Sequence, residues 1–281
     1  MRATLKSLRD SLRPIYGRGE TEAIIRIIFH HLKGWSAVDM IVHEGEPLSP
    51  FIKTEIEKIR QRLLKQEPIQ YITGEARFHG LNLKVSPDVL IPRPETEELV
   101  DLIVDEADDR TDLRVLDIGT GSGCIAIALA RSLRFPYIYA LDVSQKALQV
   151  ARKNTAEHKV NISFIEADIF SWQPSETFDI IVSNPPYIDE SEKTSMEDNV
   201  LLHEPHSALF VPDDDPLIFY GRITSLASES LNPSGRLYFE INPRHAADMK
   251  RMVINSGFSD VEIIKDSFGK DRFLTAKKQA L

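Results

Sequence analysis

Four consecutive residues, Asn184-Pro185-Pro186-Tyr187, carry the most specific chemistry in this 281-residue chain. They follow an apolar run at residues 178–182 that reads as a strand. Asn184 offers a side-chain carbonyl and Pro185 a backbone one, two acceptors suited to the two N–H bonds of a planar amide or amino group. The prolines fix φ, so these acceptors are preorganised and little is lost in ordering them around a substrate. Tyr187 is placed to pack on a planar group. An amide nitrogen is a poor nucleophile because its lone pair is delocalised into the carbonyl. Holding it in line with an electrophile while orienting its N–H bonds is a task such a motif can perform. No strong base is required, since the nitrogen becomes acidic once it is alkylated.

A second constellation lies upstream. An apolar strand at residues 113–117 runs into Gly119-Thr120-Gly121-Ser122-Gly123, and a helix follows. Glycines permit positive φ and let a ligand lie against bare backbone. The spacing is G-x-G-x-G, not the G-x-G-x-x-G of dinucleotide binders, and no G-K-[ST] follows it. Asp142 closes the next strand, where an acid can accept hydrogen bonds from both hydroxyls of a ribose; its alternative role is a cap for the helix starting at Ser144. Asp117, beside the glycines, suits a cationic sulfonium and α-amino group better than an anionic pyrophosphate. Asp168, after the third strand, is a candidate partner for the exocyclic amine of adenine, with Ile169 packing on the ring. NAD enzymes share the strand-end acid, so Asp142 marks a nucleoside rather than a specific cofactor; the glycine spacing and Asp117 favour S-adenosyl-L-methionine.

Such residues must be held by a particular arrangement of elements. From residue 113 onward strands and helices alternate, with strands at 113–117, 137–141, 162–166, 178–182 and 235–241, and two more near 261–265 and 272–276. Repeated strand–helix units imply a mainly parallel sheet covered on both faces, with ligands beyond the carboxyl ends of its strands. The fold class is therefore α/β, Rossmann-like, with a small helical bundle in front. Residues 1–73 read as that bundle: Leu5, Leu8, Leu12 and Ile15 recur at helical spacing, as do Ile24, Ile27, Ile28 and His31, and Ser49-Pro50 is an N-cap followed by a first helical residue. Residues 74–92 read as a hairpin linker, and 93–281 as the domain that carries the chemistry. Pro92 and Pro94 flank Arg93 and make residues 91–94 a stiff strap.

The glycine loop together with Asn-Pro-Pro-Tyr resembles the amino-methyltransferases, which include DNA adenine-N6 and cytosine-N4 enzymes. Two longer stretches narrow the likeness: Glu67-Pro68-Ile69-Gln70-Tyr71-Ile72-Thr73-Gly74, and Val89-Leu90-Ile91-Pro92-Arg93-Pro94-Glu95-Thr96-Glu97. With them the whole chain, through Gly269-Lys270-Asp271-Arg272, resembles the bacterial glutamine-N5 methyltransferases that modify peptide chain release factors (the HemK/PrmC family). The resemblance implies a class I methyltransferase fold, a Gly-Gly-Gln glutamine as substrate and class I release factors as partners. It also implies that Gly119–Gly123, Asp142, Ile169 and Asn184 contact the cofactor and that Asn184–Tyr187 hold the glutamine. The chain departs from the family pattern at Ile169, where an aromatic is common, and at Ile241-Asn242-Pro243 after Glu240. The lead into Glu204-Pro205 also differs.

Composition bounds the alternatives. Residues 1–92 carry a balance of +3 and residues 93–281 one of −12, within a net charge of −9. The acidic larger half lacks the clustered basic surface of a duplex binder, so no direct nucleic-acid substrate is expected, although a nucleoprotein partner fits. Methylation of a ribosomal-protein glutamine, or of an adenine or cytosine base flipped into the site, are the competing activities. A single cysteine, Cys124, excludes an intramolecular disulfide framework, and the His30-His31 and His203/His206 pairs lack the neighbours of a metal site, so no metal is expected. No basic-then-apolar opening run or membrane-length apolar stretch is present, and the expectation is a cytoplasmic protein.

Overall fold

The computed structural model describes residues 1–279. Two compact units emerge, one formed by Met1–Glu75 with Met196–His203, the other by Ala76–Ser195 with Glu204 onward. The first unit is helical: α1 (Arg2–Lys33), α2 (Ala37–Val42), α3 (Pro50–Leu63), α4 (Ile69–Thr73) and, from later in the chain, α8 (Asp198–His203). Ser49 caps α3 by accepting from Ile52 N–H at 3.3 Å, with Pro50 at the first helical position. The core of this unit gathers Leu5, Leu8, Leu12, Ile25, Ile28, Phe29 and Leu63.

The apolar face of α1 differs from the spacing expectation. Ile15 and Ile27 point outward, at 41% and 38% exposure, and His31 is exposed, while Ile25 and Phe29 are buried. Gly17, with φ of 69° and ψ of −179°, breaks the helix. After it the buried stripe is Thr21, Ile24, Ile25, Ile28 and Phe29, one helical face at i, i+3, i+4, i+7 and i+8, and Ile27 and His31 fall outside that face. Thr21 Oγ1 donates to Gly17 O at 2.6 Å, occupying a carbonyl at the break.

In the second unit, β1 (Glu75–Phe78) and β2 (Leu81–Lys84) form a two-stranded sheet. Then follow α5 (Pro94–Ala107), β3 (Arg114–Ile118), α6 (Cys124–Ser132), β4 (Tyr137–Asp142), α7 (Gln145–His158), β5 (Ile162–Glu166) and β6 (Phe178–Ser183). A short parallel pair, β7 (Ile188–Asp189) with β8 (Phe210–Val211), precedes α9 (Ile218–Ser230), β9 (Leu231–Glu240), α10 (Ala246–Asn255), β10 (Phe258–Lys265) and β11 (Asp271–Lys278). The main sheet has the order β10-β11-β9-β6-β3-β4-β5. The run from β9 to β5 is parallel, and β11 is antiparallel to both neighbours.

The central parallel strands β3 and β6 are buried on both faces and read as near-continuous apolar runs, as such strands must, while the edge strand β5 is only partly covered. One core cluster, with Leu99, Val100, Ile103, Ala126, Leu129 and Val182, occupies one face; a second, with Leu116, Ile181, Tyr220, Leu226, Phe239 and Met249, occupies the other. After β5 the chain crosses back to place β6 on the far side of β3. This reversal opens a crevice beyond the carboxyl ends of β3, β4 and β6, the place where open α/β sheets take ligands.

Candidate active site

A cleft of about 950 Å³, counting its open mouth, lies at this switch point. Gly119, Gly121, Asp142, Asp168, Ile169, Asn184, Pro185 and Pro186 all line it, so two motifs more than 60 residues apart in sequence share one cavity. Ser183 Oγ donates to Ile118 O at 2.7 Å and ties the start of the Asn-Pro-Pro turn to the end of β3.

The glycine loop is not a phosphate cradle. The N–H groups of Gly119 and Thr120 donate to Leu141 O at 2.8 and 3.0 Å, and that of Gly123 donates to Thr120 O at 2.8 Å. Gly121 N–H donates to Asp142 Oδ2 at 2.8 Å. Phosphate-binding turns aim such groups at the ligand; here the loop spends them on the end of β4, leaving a surface of bare backbone. Gly121 and Gly119 have φ of 55° and 76° with open space where a Cβ would be. Gly123 serves packing instead: a Cβ there would come within 3.2 Å of Ala151 Cβ and Ile127 Cδ1.

Acids surround this loop in distinct states. Asp142 accepts from Gly121 N–H through Oδ2 and from Ser144 N–H through Oδ1, both at 2.8 Å. Burial raises its pKa, opposed by those N–H groups. The cap of α7 is Ser144 itself, which accepts from Ala147 N–H, so Asp142 is not the N-cap. Asp117 is fully buried; Thr120 Oγ1 donates to its Oδ2 at 2.6 Å, while among the described residues its Oδ1 lacks a well-aligned partner. Burial pushes its pKa up to about 7, against the pull of the Thr120 hydroxyl and the Ala126 N–H. A cation bound in the cleft near this buried acid favours its charged form. The bare turn at Gly119 and Gly121 and the acid Asp142 at the end of β4, both in the cleft, fit a nucleoside, with Asp117 buried behind the loop.

Comparison with known proteins agrees with this geometry. Residues 3–74 match the PrmC N-terminal domain and residues 96–210 the methyltransferase small domain. The release factor glutamine methyltransferase of Bacteroides thetaiotaomicron is 51% identical over 96% of this chain and 98% of its own length. That of Flavobacterium psychrophilum is 43% identical over 94% of both chains. The chain belongs to the release factor glutamine methyltransferase family. Among solved structures, a methyltransferase from Pyrococcus furiosus superposes with a TM-score of 0.54 at 22% identity, covering 80% of this chain and all of that one; this likeness speaks to the fold alone.

Not every residue singled out in the sequence reaches the cleft of this family member. Asp117, Thr120, Ser122, Gly123 and Tyr187 do not line it. Thr120 is turned toward Asp117, and Ser122 gives its backbone carbonyl to Asn154 Nδ2 at 2.9 Å. The Tyr187 ring packs on the second core cluster and its hydroxyl donates to Glu240 Oε1 at 3.0 Å. Asp168 accepts from Phe170 N–H at 2.9 Å and remains exposed.

Sequence reading missed several lining residues: Val89 and Leu90 just before the strap, Val143, Ser207 and Ala208, and Phe219 and Ile223 of α9. Only Val143 had a local signal, as an apolar residue directly after the strand-end acid. The strap is clasped to the start of the loop at 205–208 by Glu204. Its side chain is 1% exposed and accepts from Arg93 Nη2 at 2.6 Å and from Ile91 N–H at 3.1 Å.

Proposed function

We propose that this chain transfers a methyl group from S-adenosyl-L-methionine to the side-chain N5 of the glutamine in the Gly-Gly-Gln motif of class I release factors. The observation that carries this reading is that Asn184–Pro186 and Gly119–Gly121 line one cleft, so an amide held by the first faces a ligand held by the second. The bound cofactor supplies an electrophilic methyl on a positively charged sulfur. Gly119 and Gly121 offer the surface it lies on, Asp142 the acceptor for ribose hydroxyls, Ile169 an apolar face for adenine, and Asp117 a counter-charge. Asp168 stands beside Ile169 as a partner for the adenine amine.

The chain's part in the chemistry is orientation and desolvation. Asn184 Oδ1 and the Pro185 carbonyl accept the two N–H bonds of the glutamine amide and turn its nitrogen lone pair toward the methyl. Holding these acceptors rigid means no reorganisation is needed when the nitrogen gains positive character. The amide nitrogen forms the new N–C bond with its lone pair and then sheds one proton to solvent; S-adenosyl-L-methionine bound at Gly119, Gly121 and Asp142 would supply the methyl and leave as the neutral thioether. The apolar walls exclude competing water.

The helical unit supplies selectivity in this reading. A glutamine side chain has few atoms to discriminate, so binding energy from remote contacts must select it. The unit exposes Val38, Ile41 and Val42 on α2 at 68%, 76% and 69%, a ready surface for a protein partner in the cytoplasm. Among the described residues no helix is long and apolar enough to cross a membrane. The test offers methyl-labelled S-adenosylmethionine with the full chain to purified release factor, ribosomes and DNA. Label in the Gly-Gly-Gln glutamine is expected; label in DNA or in a ribosomal protein alone overturns the reading.

A further inference from the structure

Glu240 ends β9 at 1% exposure, and Thr96, on the first turn of α5, is 2% exposed. Neither contacts the substrate in the mechanism above. Thr96 Oγ1 lies 2.6 Å from Glu240 Oε2, Tyr187 Oη 3.0 Å from Glu240 Oε1, and Asn184 Nδ2 3.3 Å from Thr96 Oγ1. We infer that Glu240 and Thr96 are positioning residues that determine which way round the Asn184 carboxamide sits, and so make it an acceptor toward the substrate.

The argument follows the protons. A carboxylate only accepts, so both hydroxyls that reach Glu240 must donate to it. Thr96 has one proton, and it is spent on Oε2; toward Asn184 its oxygen can only accept. The nearer end of the Asn184 carboxamide must therefore be the NH2 group. Turned over, Asn184 would set Oδ1 against an oxygen that has no proton to give. At 3.3 Å the Asn184–Thr96 bond is long, so its contribution lies less in its strength than in the sign it imposes. The NH2 end is held inward and Oδ1 is left for an amide N–H in the cleft that Asn184 lines.

The same acid takes the Tyr187 hydroxyl, which fixes the last residue of the motif as well. Burying a carboxylate disfavours its charge, and burial indeed raises the pKa of Glu240; the two hydroxyls and the nearby Arg272 charge oppose that rise. An asparagine in water presents either end of its amide to a partner. The relay removes that freedom before the substrate arrives, which is where preorganisation acts.

This inference rests on Asn184 being the substrate's acceptor, and the experiment separates the two. Steady-state kinetics of the full chain with release factor, calorimetric cofactor binding and melting temperature are measured for Thr96→Val, Thr96→Ser, Asn184→Ala and the double variant Thr96→Val/Asn184→Ala. Thr96→Val keeps shape but lacks the hydroxyl, and should lower kcat about 10–100-fold with cofactor Kd unchanged. Thr96→Ser should restore it. The double variant should be no slower than Asn184→Ala alone, because Thr96 acts through Asn184. Wild-type kcat in Thr96→Val beside an inactive Asn184→Ala, or additive losses in the double variant, overturns the relay and leaves the role of Asn184 standing. An active Asn184→Ala instead overturns the proposed function beneath it. Should Thr96→Val fail to fold, Glu240→Gln decides: its carboxamide can hand a proton to Thr96 and reverse the relay, so an unchanged kcat refutes the inference.

Discussion

Cutting the clasp between the strap and the loop at 205–208 should have unequal consequences on its two sides. Glu204 is all but sealed from solvent, whereas the Arg93 side chain is 30% exposed. Arg93→Met leaves a buried carboxylate with the Ile91 N–H as its one remaining partner in the clasp, at 3.1 Å. Breaking a buried pair from one side typically costs 3–5 kcal/mol; the surviving N–H bond and the partial exposure of Arg93 bring the expectation to about 2–4 kcal/mol. Glu204→Gln buries no charge, keeps an oxygen for Ile91 N–H and lets Arg93 turn to water, so it should cost about 1 kcal/mol. Arg93→Met/Glu204→Gln should then be more stable than Arg93→Met alone. Denaturant midpoints at constant m measure all three. Since Val89 and Leu90, next to the strap, and Ser207 and Ala208 of the loop line the cleft, KM for S-adenosylmethionine should rise in the same order. If Glu204→Gln proves as damaging as Arg93→Met, or the double variant is the worst of the three, burial asymmetry is not what governs this contact.

Other perturbations reach the remaining parts of the site. Asp142→Ala should weaken cofactor binding by about 1.5–3 kcal/mol through loss of charge-assisted hydrogen bonds, with transfer at saturating cofactor less affected; calorimetry reads this, and an unchanged Kd would leave Asp142 only its bonds to Gly121 and Ser144. With Asp117 pushed up to about 7, the folded chain holds a proton there that the unfolded chain has released. Stability without cofactor should therefore fall as pH rises from about 4 to about 7, by about 4 kcal/mol at most. A cation beside Asp117 favours its charged form, so cofactor affinity should climb with pH through about 7 and release a proton, seen as buffer-dependent binding enthalpy; Asp117→Asn should abolish that dependence. Gly123→Ala, at φ 81° and with Cβ contacts of 3.2 Å, should destabilise by about 1–3 kcal/mol in thermal melts. Ile41→Asp should lower kcat/KM for intact release factor but not for a short Gly-Gly-Gln peptide; an equal effect on both would remove α2 from partner recognition.

What could be read in advance was what is local in the chain. The strands around Val115–Ile118 and Ile180–Val182 announce themselves as apolar runs because they are buried on both faces, and the glycine and Asn-Pro-Pro turns follow them directly. The Ser49-Pro50 start of α3 was legible for the same reason: a cap and its first turn are neighbours. Non-local relations were hidden. Thr96 meets Asn184 across 88 residues and Glu240 across 144, and nothing in a Pro-Glu-Thr-Glu helix start says that its threonine will hold an amide. The outward turn of Ile27 was hidden because Ile24, Ile25, Ile27 and Ile28 are all apolar, so residue type alone does not say which of them face the core. The pairing of Ile188–Asp189 with Phe210–Val211 was likewise too short to leave a periodic signal.

The return of α8 to the helical unit has a consequence for synthesis. Gln66 Nε2 donates to Asp198 Oδ2 at 3.1 Å, and His203 Nε2 lies 3.0 Å from Lys65 O; the unit that begins at Met1 is finished by residues Met196–His203. The chain emerging from a ribosome at about 5–20 residues per second thus exposes the first 75 residues for about 6–25 s before their last helix exists. For that interval the nascent bundle must persist with an open flank, while the parallel sheet also awaits its central strand β6 and its neighbour β9. Completion of the front of this protein is timed by the translation of its middle.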